Sequence, residues 1–313
     1  MTTTELIVEA RDGVGRLVLN RPRAINALTP AMLSGIHEAL DAWADDGSIV
    51  RVEISGAGER GLCSGADVRA LREVVLAGGD HLAFFEVEYA MNAAIKDFPK
   101  PYVAHQRGIT MGGGLGVSAH GSRRIAYPDS AFAMPETIIG FIPDVGILWY
   151  LAQAPGELGT HVALTGNAIN GTDAVLVGLA DEVDETDGPS PASVLEGWRG
   201  WIDECYASDD PVAIVQALEA HADPDARATA ADLRKRCPLS VAVTLEAIRR
   251  AKTMSGVDEV LAQDMVLARH LIPRPDFAEG VRAQLVDKDR TPTWQHARLE
   301  DVTRDEVLAC FEA

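Results

Sequence analysis

The chain opens on two short apolar runs, ELIVEA and GRLVLN, joined around Asp12-Gly13. That dipeptide suits the positive backbone angles of a tight turn, so the pattern predicts an antiparallel β-hairpin, which Pro22 ends. In TPAMLSGIHEALDAWADD the period changes, and Met32, Leu33, Ile36, Leu40 and Trp43 recur at helical spacing. Thr29 fits the N-cap and Pro30 the first helical position, which predicts an amphipathic helix.

Further on, IVRVEIS is a β-rich run that leads into the glycine-punctuated loop GAGERGLCSGAD. Helical segments follow from about Val68 to Lys96. PYVAH then returns as a strand, and GITMGGGLGVSAHG opens what the pattern predicts as another helix. Strand, glycine loop and helix thus occur twice, which argues for an α/β core whose loops at strand ends supply the site. LTGNAINGTDAVLVGLADEVDE reads as turn, helix and strand, after which TDGPSPAS breaks the pattern. From Val194 to Leu271 the periodicity is helical. The expected organisation is an α/β core carrying the site over residues 1–190 and a helical region over 191–313.

Composition narrows the function. With 313 residues and 47% hydrophobic content the chain can bury a full core. No run approaches the apolar length of a membrane span, and the acidic start MTTTELIVEARDGVG lacks the pattern of a secretion signal, so a cytoplasmic protein without membrane contact is expected. Cys63, Cys205, Cys237 and Cys310 show no paired spacing, so neither a disulfide framework nor a metal site is expected. A formal charge of −19 repels phosphate backbones, which argues against a nucleic-acid partner and requires a local basic patch for any anionic ligand.

The candidate chemistry lies in TMGGGLGVSAHGSRRIAYPDSAFAMPETIIGFIPDVG. Gly112, Gly113 and Gly114 fall at the start of a predicted helix, where N–H groups lack intrahelical acceptors and a ligand oxygen can approach the backbone; a tight turn or close helix packing would use the same residues. Three sharper motifs fail. The dinucleotide fingerprint lacks its acidic residue at the right distance, the serine-hydrolase elbow has His120 where glycine is needed, and no phosphate-loop lysine follows the glycines. The loop GERGLCSGADV places Ala66 and Asp67 at the mouth of the next helix, and donors from two such loops converging on one carbonyl oxygen would form an oxyanion hole. Cys63 and Ser64 are expected to pack or bond within turns, because no histidine is placed to activate either. Glu136, after Pro135 among apolar residues, has surroundings that disfavour its charged form and suit a catalytic carboxylate. A helix-start acid is the alternative reading for it and for Asp144.

Five stretches, LNRPRAINALTPAM, GAGERGLCSGADVRAL, GITMGGGLGVSAH, FAMPETIIGFIPDVG and LTGNAINGTDAVLVGLADEV, resemble in order and spacing the enoyl-CoA hydratase/isomerase (crotonase) superfamily. The resemblance implies a spiral of ββα units followed by helices. Within the superfamily, MPETIIGFIPDVG and the tail RPDFAEGVRAQLVDKDRTPTWQHARLEDV are most similar to the 3-hydroxyisobutyryl-CoA hydrolases. It implies that the Ala66 and Gly113 N–H groups bind the thioester oxygen, that Glu136 activates water or attacks to give an anhydride, and that Asp144 assists. Arg21, Arg23 and Ala24, with Ala66, Asp67 and Val68, match the region that lines the CoA site.

A crotonase hydratase carries a second catalytic glutamate two residues after the triple glycine, where this chain has Gly116. Two-glutamate hydration there loses a partner. The segment ILWYLAQAPGELG also departs from the hydrolase pattern, so Ile147, Leu148 and Trp149 are expected to reshape the acyl pocket. The expectation is therefore hydrolysis of a short 3-hydroxyacyl-CoA, with CoA arriving as part of the substrate and no separate cofactor. An enoyl-CoA isomerase and a non-catalytic acyl-CoA-binding protein are the alternatives. Superfamily members often form trimers or paired trimers, so a homo-oligomer is compatible with the resemblance.

Overall fold

The computed structural model describes residues 4–312, which divide into two compact units. The first comprises residues up to Asp67, Phe84–Ala133 and Ala168–Ser193; the second comprises Val68–Ala83, Met134–Asn167 and Val194 onward.

All nine strands among the described residues belong to the first unit. They are β1 (Leu6–Arg11), β2 (Val14–Leu19), β3 (Arg51–Gly56), β4 (Tyr102–Gln106), β5 (Ile109–Met111), β6 (Arg123–Ala126), β7 (Ala131–Ala133), β8 (Ile169–Asn170) and β9 (Glu182–Val183). The hairpin forms as its turn chemistry predicts, with Asp12 and Gly13 at φ 53° and 80° and Leu6 opposite Leu19. A six-stranded sheet runs β1-β2-β3-β4-β6-β9, parallel beyond the hairpin, and a three-stranded sheet runs β5-β7-β8. Successive strand pairs β4/β5, β6/β7 and β8/β9 each send one strand to each sheet. That alternation is the expected spiral.

The helix Pro30–Ala44 starts with the Thr29 side chain accepting from the Met32 N–H and buries Met32, Leu33, Ile36, Leu40 and Trp43. Leu17, Leu19, Val52 and Ile54 from the sheet are fully buried in the same cluster. Each such side chain contributes about 1.5–3 kcal/mol on leaving water. One predicted helix is much reduced: after β5 only Gly113–Gly116 is helical. Glycine costs about 1 kcal/mol per helical position, and this segment spends its residues on close approach instead.

The second unit contains helices and no strand among the described residues. Its centre is the helix Pro238–Ala251, in which eleven of fourteen residues are buried, the pattern of a helix covered nearly all round. Segments 68–83 and 134–167 belong to this unit, so the division is not the single linear cut near residue 190 that the composition suggested. The cause is tertiary. The Cys237 N–H donates to the Thr137 carbonyl at 3.0 Å, and the Arg72 side chain donates to the Ala278 carbonyl at 2.9 Å. Gly140 and Gly280 allow still closer approach: a Cβ at Gly140 would lie 2.5 Å from the Asp276 backbone, and one at Gly280 2.5 Å from that of Ile139.

Candidate active site

In the first unit the two glycine loops aim backbone donors. Ala66 pairs with Leu28 in a parallel bridge that uses the Gly65 carbonyl and the Asp67 N–H. The Ala66 N–H therefore points away from the pairing. Gly112 adopts φ 51°, ψ −124°, a conformation open to glycine, and its N–H donates to the Ala133 carbonyl at 3.1 Å. The chain then turns into the helix with Gly113 at its first position, where an N–H has no intrahelical acceptor. Among the described residues neither the Ala66 nor the Gly113 N–H has a backbone acceptor. Their proximity is set by the bare Cα of Gly113: a Cβ there would lie 3.4 Å from the Ala66 nitrogen, 3.0 Å from Leu28 Cδ1 and 2.5 Å from Glu88 Oε1. The structure thus brings two predicted donors together and adds a carboxylate.

Cys63, between the two loops, is no nucleophile. It is fully buried, and burial above all pushes its thiol up to about 12. The Ser64 hydroxyl is held by the Ala24 carbonyl at 3.1 Å. The four cysteines are free and buried, as their spacing predicts.

In the second unit Glu136 lies in the 3-10 turn Pro135–Ile138, where Pro135 presets the first position. Its carboxyl-bearing residue is 7% exposed beside the buried Met134, Phe141 and Ile142. The turn is fixed by N–H groups of Ile139 and Phe141 donating to the Glu136 carbonyl, and by the Thr137 hydroxyl donating to the Leu164 carbonyl. Asp144, 5% exposed, precedes two left-handed residues, Val145 at φ 52° and Gly146 at φ 76°. The Gly146 N–H donates to Asp264 Oδ2 at 2.8 Å. Burial first, then the charge of Asp144, pushes the Asp264 carboxyl well above its usual range, opposed by that N–H. Ile147 and Leu148 are fully buried within this unit and Trp149 is half-buried.

The expected CoA-lining residues differ in availability. Arg21 is committed to neighbours of its own unit: it pairs with Asp67 at 3.1 Å and Glu5 at 3.2 Å and donates to the Ala27 carbonyl. Much of its charge is neutralised by those two carboxylates. Arg23 and Ala24 are exposed, and Val68 starts the helix Val68–Leu76. A separate cleft of about 470 Å³ in the first unit, lined by Arg16, Glu53, His105, Arg107 and Asp129 among others, contains none of the predicted site residues.

Sequence reasoning missed Glu88 and Asp264. Both had a readable signal, a carboxylate set in an apolar stripe: Glu88 and Asn92 share the buried face of Leu82–Asp97 with Phe85 and Ile95, and Asp264 falls between Leu261 and Leu267.

Comparison with known proteins places this geometry. The sequence model of the enoyl-CoA hydratase/isomerase family matches residues 14–188 and 182–311. The chain belongs to that family. Among curated members of it, the mitochondrial 3-hydroxyisobutyryl-CoA hydrolase of Rattus norvegicus is 35% identical across 99% of this chain and 89% of its own length. The enzyme of the same name from Danio rerio is 36% identical across 99% and 90%. Two solved structures share the fold over nearly all of both chains. A carnitinyl-CoA dehydratase from Mycobacterium thermoresistibile is 41% identical with a TM-score of 0.95, covering 99% of this chain and 97% of that one. An enoyl-CoA hydratase from Rhodobacter sphaeroides is 35% identical with a TM-score of 0.94, covering 98% and 97%. The family's names thus span hydrolysis and hydration of CoA esters, and the residues must separate them.

Proposed function

We propose that this protein hydrolyses 3-hydroxyisobutyryl-CoA, releasing free CoA and 3-hydroxyisobutyrate, a step of valine breakdown. The observation that carries the reading is the near full-length likeness to hydrolases of that name, joined to Gly116 at the position where a hydratase needs its second glutamate. In this reading the Ala66 and Gly113 N–H groups receive the thioester oxygen as it becomes negative, which is where preorganised donors lower the barrier most. Glu136 then takes the proton of a water that attacks the carbonyl carbon, or attacks that carbon itself to give an anhydride that water opens. Either route breaks the C–S bond and returns the proton to the leaving CoA thiolate. Asp144 assists by orienting the water or the 3-hydroxyl. Arg23 and the 66–68 segment are proposed to meet CoA, which enters as substrate, so no further cofactor is invoked.

The test is release of free thiol from 3-hydroxyisobutyryl-CoA, with crotonyl-CoA and acetyl-CoA in parallel. Rapid release from the hydroxy ester alone is expected; no release from it rejects the reading. Label in Glu136 after a single turnover in ¹⁸O-water establishes the anhydride route, since water enters that carboxyl only by opening the anhydride at the Glu136 carbonyl.

Glu88 favours a second reading. Its carboxylate reaches the Gly113 backbone from the helix Leu82–Asp97 and could replace the partner lost at Gly116. Hydration of crotonyl-CoA without CoA release would establish it.

A further inference from the structure

The turn that carries Asp144 is held by a residue more than a hundred positions later, and what holds it is itself an acid. Asp264 is fully buried in the helix Val257–Leu271, and its Oδ2 accepts the Gly146 N–H at 2.8 Å. The residue between Asp144 and Gly146, Val145, is β-branched, fully buried and at φ 52°. A β-branched residue in the left-handed region is strained and persists only when its surroundings over-determine it. The remaining oxygen of Asp264, Oδ1, is buried with no hydrogen-bond partner among the described residues. An ionised carboxylate in that position is costly, whereas a protonated one keeps Oδ2 as acceptor and turns Oδ1 into a donor.

The charged group that acts on Asp264 is Asp144. The helix that follows the turn, Ile147–Ala152, brings Tyr150 as its only titratable side chain. On its own helix Asp258, Glu259 and Arg269 are exposed and His270 is half-buried near the ends. We infer that Asp264 is a positioning residue for Asp144, holding the left-handed turn Asp144–Gly146 through Gly146. This rests on the proposed role of Asp144 in ester hydrolysis.

Two variants test that hold. Asp264→Asn keeps an acceptor for the Gly146 N–H; Asp264→Leu loses it. Thiol release by Asp264→Leu is expected to fall about tenfold or more in kcat with KM nearly unchanged, because a displaced catalytic group costs rate before affinity. Asp264→Asn is expected to restore most of that rate. Wild-type kcat in a folded Asp264→Leu, or an Asp264→Asn no faster than Asp264→Leu, overturns the inference.

A second measurement needs no turnover. Because the folded state holds its proton on Asp264 above the ordinary value, the unfolded chain loses that proton first, and wild-type stability falls as pH rises from about 4. The melting temperature of Asp264→Asn should therefore gain on wild type as pH rises. In an Asp144→Asn background the gain should shrink, since the charge it answers to is gone. An equal gain in both backgrounds shows that the two acids do not feel each other and overturns the inference. A wild-type chain that hydrolyses no ester rejects the hydrolase reading alone, and this cycle still decides the pairing.

Discussion

The donors at Ala66 and Gly113 and the acids at Glu136 and Asp144 are held by opposite means. The donors are products of main-chain geometry: a bridge at Leu28 turns one N–H outward, a left-handed Gly112 turns the other, and both devices lie in the α/β unit. The acids depend on groups from late in the sequence: the Cys237 N–H donates to the Thr137 carbonyl, and the Asp264 carboxylate accepts the Gly146 N–H. Backbone donors cannot be deleted by an ordinary substitution, only displaced. Side-chain acids can be neutralised one atom at a time. The contrast teaches that the first region is protected by its construction and the second is tunable.

The strongest break is Glu136→Gln. It should lower kcat for thiol release about a thousandfold, within the range of acid–base groups, while CoA-ester affinity measured by calorimetry is retained. Unchanged turnover would remove Glu136 from the mechanism. Next, Gly113→Ala should cost about a hundredfold in kcat by moving one donor, with modest loss of melting temperature, because the nearest atoms it meets are the flexible ends of Glu88 and Leu28. Gly114→Ala is the control that sharpens the difference. Its Cβ would lie 2.5 Å from the Cys63 carbonyl oxygen, so it should chiefly lower the melting temperature. Equal effects of the two glycines on rate and stability would erase the distinction between donor and packing.

The helical unit has a smaller vulnerability of its own. His161 is buried among Trp198, Trp201 and Tyr206, and burial pushes its pKa down from 6.5 to about 3. Between those values the unfolded chain takes a proton that the folded one refuses, so stability falls as pH falls through that window. Melting of His161→Phe from pH ~7 to ~4 should show a shallower acid loss than wild type. An unchanged slope would show that other groups set it. The smallest effect is expected at Arg21→Gln, a few-fold rise in KM at most, because Arg21 is already spent on Asp67 and Glu5. A hundredfold rise would show that CoA recruits it.

What the sequence made legible was local. Asp12-Gly13 encodes its turn in two residues, Thr29-Pro30 its helix start in two more, and MGGG its bare backbone in a row. The donors at Ala66 and Gly113 could be anticipated, since a glycine loop after a strand advertises them. The grouping of 134–167 with the C-terminal helices was illegible, because it depends on Gly140 meeting Asp276 and Ile139 meeting Gly280, each pair far apart in the sequence. The meaning of Asp264 was hidden for the same reason. A single acid in an apolar stripe reads as an anomaly until its partner more than a hundred positions away is placed.

Those two glycine contacts also impose a timetable on biosynthesis. Residues 139 and 140 are finished when the chain is less than half made, yet the backbone they press against is supplied by residues 276 to 280. At ordinary ribosomal speeds of about 5–20 residues per second, the segment bearing Glu136 waits on the order of ten seconds for its support. During that interval the early hairpin and sheet can already condense on the ribosome. A ribosome stalled before Asp276 would therefore hold the Glu136 segment without the backbone it packs against.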